Sequence, residues 1–414
     1  MATLHLPQGP LGLTTTPIAR RAAGEPAPQA PVLLVFSHLR WGFVHQRPQH
    51  LLSRLAGRWR VLFVEEPQLC DGAARLAVQE VAPGLTVLAP HTPIAAPGFH
   101  DDQITAIELL LRTHLAEQAL RVDVTWLYTP MALPLALALG AEVLVYDCMD
   151  ELSAFRGAPR QLRQRESALL QQAALVLTGG PSLYDARRHQ HANIHCLPSS
   201  VDAAHFSADQ VDATSDLAAQ AQALQGALPH PRLGFFGVID ERLDVALVEA
   251  LADRHPDWSL VMVGPVAKID PAGLPQRPNL HWLGMQRYEL LPHLLAGWDV
   301  ALMPFALNES TRFISPTKTL EYMAGGKPVV STPIHDVQRL YGSAVALAPA
   351  GDAFVQACEA LLAEGADERN ARRAEMDRLV ARGSWQATAD AVHALLVDAM
   401  APREAGLEPV AVVA

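Results

Sequence analysis

"SPTKTLEYMAGGKPVVSTP", residues 315–333, reads as a short helix running into a buried strand. Ser315 is a good N-cap and Pro316 suits the first helical position. A capping box would place Glu or Gln at the third helical position. This chain places Lys318 there, where the positive end of the helix dipole disfavours a cation. A bound anion reverses that disadvantage, because free backbone N–H groups, the dipole and the ammonium then act together. Glu321 follows at i+3 on the same face, one turn beyond, where a carboxylate can accept hydrogen bonds from sugar hydroxyls. A surface Lys–Glu pair, worth about 0.2–0.5 kcal/mol, is the competing reading.

Around this stretch, short apolar runs alternate with helical patterns in two sets. The first is "VLLVFS" (32–37), "VLFVEE" (61–66), "LTVLAP" (85–90), "VTWLYT" (124–129), "EVLVYD" (142–147), "ALVLTG" (174–179) and "NIHCLP" (193–198). The second is "RLGFFG" (232–237), "SLVMVG" (259–264), "LHWLG" (280–284), "DVALMPF" (299–305), "PVVST" (328–332) and "AVALAP" (344–349). Runs with little alternation imply strands buried on both faces, hence parallel sheets with helical crossovers. The expected fold class is α/β, two Rossmann-like, doubly wound domains facing across a cleft. Their expected limits are 31–205 and 206–383, with a loose tail over 1–30 and a helix crossing back from 384, followed by a tail to 414. The polar segment 207–231 reads as a linker joined to a helix.

The 414 residues are half hydrophobic and 18% charged, which marks a globular chain. A net charge of −11 argues against non-specific nucleic-acid binding. Cys70, Cys148, Cys196 and Cys358 show no CxxC or CxH spacing, so no zinc site or disulfide framework is implied, and a reducing, cytoplasmic setting fits. The apolar stretch 127–146 is interrupted by Pro130, Pro134, Gly140 and Glu142, and reads as strand, turn, short helix and strand rather than a membrane span.

Strand "LGFFG" ends at Gly237 and opens into a loop with Asp240, Glu241, Arg242 and Asp244. Glycine lets backbone approach a ligand, and the planar guanidinium of Arg242 suits a diphosphate; a solvated loop arginine is the alternative. In the first half, "FSHLRWGFVHQRPQHL" sets His38, Trp41, His45, Gln46 and Arg47 between the first strand and first helix. Arg47 can meet an anionic group and Trp41 can stack on a sugar face; core packing and solvation are the competing readings. In "VYDCMDELSAF", Asp147 and Asp150 follow a strand at its cleft end, and two nearby carboxylates can raise one pKa into the range of a base. Asp150 is the better candidate for contact with an acceptor hydroxyl, with Asp147 capping the next helix. Gly179–Gly180 read as a turn and a possible close-approach site, and Lys327 as solvated. Segment 158–173 carries three arginines beside apolar positions, a candidate peripheral contact with anionic lipid or simply a solvated helix face.

"SPTKTLEYMAGGKPVVSTP" resembles the signature of group 1 glycosyltransferases of the glycosyltransferase 4 type, with the GT-B fold. "FFGVIDERLD" resembles that family's strand and phosphate-binding loop, "LPSSVDAAHF" (197–206) its inter-domain hinge and "GSWQATADAV" its closing helix. "WGFVHQRPQHLLSRLA" and "VYDCMDELSAF" resemble a bacterial subgroup associated with surface polysaccharides. The resemblance implies transfer of a sugar from a nucleoside-diphosphate donor to a glycan or lipid-linked acceptor, without a catalytic metal or other cofactor. It further implies that Arg242 and Lys318 hold the diphosphate and Glu321 the ribose, with Gly237, Ser315 and Thr317 as further donor-binding candidates and the acceptor in the first half. The family's paired glutamates stand eight residues apart, and Phe313 occupies the position eight before Glu321. That departure leaves donor sugar and stereochemical class open. A nucleotide-sugar epimerase of the same fold, or a non-catalytic nucleotide-sugar-binding scaffold, are the rival functions. No GxGxxG follows any first strand, which disfavours a nicotinamide enzyme. No DxD triplet is present, the nearest being "DERLD" (240–244), so no metal clamp is expected.

Overall fold

The computed structural model describes residues 30–401. The tail expected over residues 1–30 falls outside the described residues except for Ala30, and so does the tail from residue 402. From Pro31 onward the described residues cluster as one compact unit.

Every apolar run read as a strand forms one. The first sheet contains β1 (Val32–Ser37), β2 (Arg60–Glu65), β3 (Gln68–Leu69), β4 (Arg75–Ala82), β5 (Leu85–Thr92), β6 (Val124–Leu127), β7 (Leu144–Cys148), β8 (Leu175–Thr178) and β9 (Ile194–Cys196). Its order is β3-β5-β2-β1-β6-β7-β8-β9, parallel throughout, with β4 antiparallel on β5. The second sheet contains β10 (Arg232–Phe236), β11 (Ser259–Val263), β12 (Leu280–Trp282), β13 (Val300–Met303), β14 (Val329–Ser331) and β15 (Val345–Leu347), ordered β12-β11-β10-β13-β14-β15 and all parallel. The sequence reading missed β3 and β4. β4 is a largely exposed edge strand, so "RLAVQEVA" lacks the unbroken apolar run that marks a buried one.

β1, β6, β10, β11 and β13 are buried along their whole lengths, because helices cover both faces of each sheet. One face of the first sheet packs Leu33, Val35, Val61 and Phe63 against Leu51, Leu52 and Leu55 of the helix Arg47–Leu55. The same cluster takes in Trp385, Val392 and Leu396 of the last helix, Trp385–Met400, so the chain returns from the second sheet to the first. Each such fully buried side chain contributes about 1.5–3 kcal/mol. Stretch 127–146 is the end of β6, a 3₁₀ turn, the helix Leu133–Ala138 and the start of β7. Among the described residues no helix is long and apolar enough to cross a membrane.

In each sheet the strand order reverses once, beside β1/β6 and beside β10/β13. Ligands of doubly wound sheets sit beyond the carboxyl ends of strands at such reversals. The loops there are 38–46 in the first sheet, and 237–244 and 304–317 in the second.

Candidate functional site

After β10, Gly237 adopts φ +147°, and a Cβ there would stand 2.9 Å from Cε of Lys318. Glycine is therefore what lets the lysine cross the loop. Asp240, only 2% exposed, accepts from the backbone N–H of Arg242 at 3.0 Å. It also accepts two guanidinium bonds, from Nε to Oδ1 at 2.9 Å and from Nη2 to Oδ2 at 2.7 Å. This bidentate pair fixes the arginine and leaves Nη1 outside it. Asn308 Nδ2 donates to the Glu241 carbonyl at 3.1 Å, tying the loop after β13 to the loop after β10.

The helix after β13 begins later than the sequence implied. It runs Lys318–Ala324, Thr317 is the N-cap without a side-chain cap bond, and Lys318 is the first helical residue rather than the third. Pro316 O accepts from Thr319 N–H, so Ser315 to Thr317 form the entering turn. With only seven residues, the helix gives little dipole, and the side-chain cations carry the positive potential. The Lys318 ammonium lies 5.5 Å from the Phe235 ring centre and 5.2 Å from that of Phe305, and makes no ion pair among the described residues. Burial, then the nearby Arg242, pushes its pKa down to about 8. Burial pushes the Glu321 carboxyl up to about 7. The simple surface pair is excluded, since Glu321 is buried and the two side chains form no salt bridge.

The first half departs from expectation at Arg47, Asp147 and His38. Arg47 is not a free cation at a helix end: its Nε donates to Asp147 Oδ2 at 2.9 Å and its Nη1 to Leu197 O at 2.7 Å, and it is 2% exposed. Asp147 is fully buried beneath it, so it neither caps a helix nor stands free as a base. Asp150 instead sits at the cleft, where burial raises its pKa while Arg242, Lys268 and Lys318 oppose the rise. His38 lines neither cavity described below; burial and then Lys268 push it down to about 4. Trp41 is half-buried, edge-on to Phe63 at 5.1 Å, and lines the cleft. His45 stacks on Tyr288 from the second half at 4.2 Å. Gln46 N–H bonds the Gln49 side chain at 3.0 Å at the start of the helix Arg47–Leu55.

Two adjoining cavities result. One, of about 340 Å³, has Gly237, Arg242, Thr317, Lys318 and Glu321 on one wall and Trp41, His45 and Gln46 on the other. The second, of about 100 Å³, brings Asp150, Arg47 and Gln46 to Arg242, Ser315, Thr317 and Lys318. Two cations beside a carboxylate suit a ligand with an anionic tail and a reacting group near Asp150.

Several contributors were not read from the sequence. Asp336 Oδ1 accepts from the Ser182 N–H at 3.0 Å, and a Cβ on Gly180 would meet its Oδ2 at 2.2 Å. Gly180, which the sequence offered as a possible close-approach site, is such a glycine between the two halves. Phe155 lies beneath Lys268 (4.2 Å) and Arg242 (5.4 Å). Asp336 and Ser182 lie in the first turns of short helices and Phe155 and Lys268 outside regular elements, so no periodic signal would have marked them. Lys327, expected in solvent, donates to Ala296 O and Trp298 O, both at 2.8 Å. Within the segment 158–173, Arg165 donates to Met131 O at 2.9 Å and pairs with Asp101, so that arginine serves the fold.

Residues 230–364 match the family model described as "Glycosyl transferases group 1". The chain is 27% identical over 277 residues to a protein of Bacillus subtilis (strain 168) named "Putative teichuronic acid biosynthesis glycosyltransferase TuaH", covering 62% of this chain and 67% of that one. Among solved structures, a sucrose-phosphate synthase from Thermosynechococcus elongatus superposes with a TM-score of 0.67 at 16% identity, covering 89% of this chain and 98% of its own. Anabaena HepE, in complex with UDP and glucose, gives 0.62 at 16% identity, over 89% and 100%. At such identities the likeness concerns the fold, which is GT-B.

Proposed function

We propose that this chain, whose residues 230–364 belong to the group 1 glycosyl transferases, moves a sugar from a nucleoside-diphosphate donor held by the second half to a hydroxyl acceptor held by the first. One observation carries the reading: Arg242, from the loop after β10, and Lys318, at the start of the helix after β13, converge on a cavity with Asp150 opposite, and Lys318 makes no ion pair among the described residues. A lysine held out of water with no carboxylate in ion-pair contact is costly to charge, and a diphosphate repays the arrangement.

In this reading the bond between the sugar anomeric carbon and the diphosphate oxygen breaks, and its electron pair goes to the diphosphate. Lys318 and Nη1 of Arg242 stabilise that growing charge, the electrostatic contribution that is often the largest in catalysis. The acceptor oxygen bonds to the anomeric carbon and gives up its proton, for which Asp150 is the nearby carboxylate. Glu321 accepts from ribose hydroxyls. No metal or other cofactor takes part. The name of the Bacillus relative supports a role in cell-surface polysaccharide synthesis, with a glycan or lipid-linked acceptor. The four cysteines are unpaired, which supports action in the cytoplasm, with or without peripheral contact with the membrane.

The test is product analysis of the purified full chain with a panel of nucleotide sugars and glycan acceptors. Transfer with release of nucleoside diphosphate supports the reading. Epimerised donor, or binding without turnover, would replace it with one of the two rival functions.

A further inference from the structure

A ladder of rings runs from the last helix into the cleft. Trp385 lies flat on His50 (4.6 Å, 8°), and His50 meets His45 edge-on (4.4 Å, 82°). His45 stacks on Tyr288 (4.2 Å, 20°), and Tyr288 stacks on His205 (4.2 Å, 7°). The members come from the returning helix Trp385–Met400, the helix Arg47–Leu55 and its lead-in, the 3₁₀ turn Tyr288–Leu290 and the helix Ala203–Phe206. Burial above all pushes His45 down to about 4 and His50 to about 2. At neutral pH these two imidazoles are uncharged aromatic rings, suited to stacking.

Stacking uses only the ring of Tyr288. Its hydroxyl is buried and has no hydrogen-bond partner among the described residues. Native structures rarely leave such a group unpaired, because its lost hydration is uncompensated. Tyr288 lines the larger cavity together with Lys318 and Glu321. Burial, then the Glu321 carboxylate, keeps the phenol protonated, and so a donor.

We propose that Tyr288 binds the nucleotide through this hydroxyl, and that His45 is a positioning residue that holds Tyr288 in place only while the first half is seated against the second. The proposal rests on the donor reading above. It also gives His45 a role other than acceptor contact.

The experiment titrates UDP and GDP into the full chain by calorimetry and records melting temperature for each variant. Tyr288→Phe keeps the stack and removes the hydroxyl; it is expected to weaken the bound diphosphate about 5- to 20-fold with little change in melting temperature. His45→Ala is expected to weaken it in the same sense, His45→Phe to recover it by restoring a ring, and the His45→Ala/Tyr288→Phe double variant to lose less than the two single losses combined. Wild-type affinity in Tyr288→Phe overturns the proposal, as does a lowered melting temperature with affinity unchanged, which marks a structural tyrosine. Should Tyr288→Phe fail to fold, equal affinities in His45→Ala and His45→Phe overturn it. A wild-type chain that binds neither diphosphate overturns the donor reading itself and this proposal with it. Wild-type binding with an unaffected Tyr288→Phe fails this proposal alone.

Discussion

Arg47 and Asp147 stand 100 positions apart in the chain and meet at 2.9 Å between Nε and Oδ2, with side chains 2% and 0% exposed. The pair joins the start of the helix Arg47–Leu55 to the end of β7, three residues before Asp150. Removing one partner strands the other charge in the interior, which costs about 3–5 kcal/mol. Asp147→Asn and Arg47→Met are each expected to lose stability of that order in urea titrations. The Arg47→Met/Asp147→Leu double variant is expected to regain most of it. Unchanged denaturation midpoints in the single variants would contradict a structural pair.

Lys318→Ala is expected to weaken nucleoside diphosphate binding about 10- to 100-fold, the range for hydrogen bonds to charged groups. The pH dependence has a definite sign. With a pKa pushed down to about 8, the free lysine is charged below that value and neutral above it, and a bound diphosphate favours the charged form. Affinity is therefore full below about pH 8 and falls as pH rises through it. Calorimetry from pH 7 to 9.5 should show that fall in the wild type and lose it in Lys318→Ala. Identical profiles in the two proteins would remove Lys318 from the site.

Asp150→Asn is expected to lower turnover by about 10²- to 10⁴-fold, the range for acid–base assistance. Because Asp150 shares a cavity with Arg242 and Lys318, removing its charge should tighten diphosphate binding by a few-fold, in the direction Coulomb's law requires. Turnover and affinity measured together check both effects. A folded Asp150→Asn protein with near-normal turnover leaves Asp150 a structural residue. Comparing the product's anomeric configuration with that of the donor bears on the same point, since inversion requires a base more than retention does.

Gly180→Ala is expected to keep the melting temperature close to wild type and lower turnover, because the added methyl meets Asp336 Oδ2 across the junction and keeps the two halves from seating. Small-angle scattering with saturating ligand should show a larger radius of gyration for the variant. Equal radii and equal turnover would mean that the contact yields at no cost.

Activity is expected to survive chelation. No group of three or more His, Cys, Asp or Glu among the described residues is placed to hold a metal ion, and the proposed charge stabilisation comes from Lys318 and Arg242. Turnover measured with and without EDTA checks this; loss with rescue by magnesium or manganese would assign the role to a metal.

Much of the site was legible because its residues are close in sequence to strong local signals. Lys318 and Glu321 sit one turn apart beside "GGKPVV", and Gly237 and Arg242 lie in the loop that follows the buried strand "RLGFF". The position of Lys318 within its helix was misread by two residues, since Ser315 and Thr317 are both acceptable caps and only the Pro316–Thr319 turn chooses between them. Asp150 was set apart from Asp147 in the sequence, but Asp147 was read as a helix cap, and its true partner, Arg47, lies 100 positions away.

By itself the sequence determined the two sheets, the order along the chain of all their strands but β3 and β4, and the loops that line the candidate site. Apolar runs of strand length need burial on both faces wherever they occur, and that demand is local. Only the tertiary structure decided how those loops face one another. It turned Arg47 from a surface cation into the buried partner of Asp147, drew Lys327 onto two backbone carbonyls, and set Tyr288 between His45 and His205. These contacts join residues tens to more than two hundred positions apart, and no periodicity links them. Their energies come from desolvation and close packing, which exist only once the halves are folded and in contact.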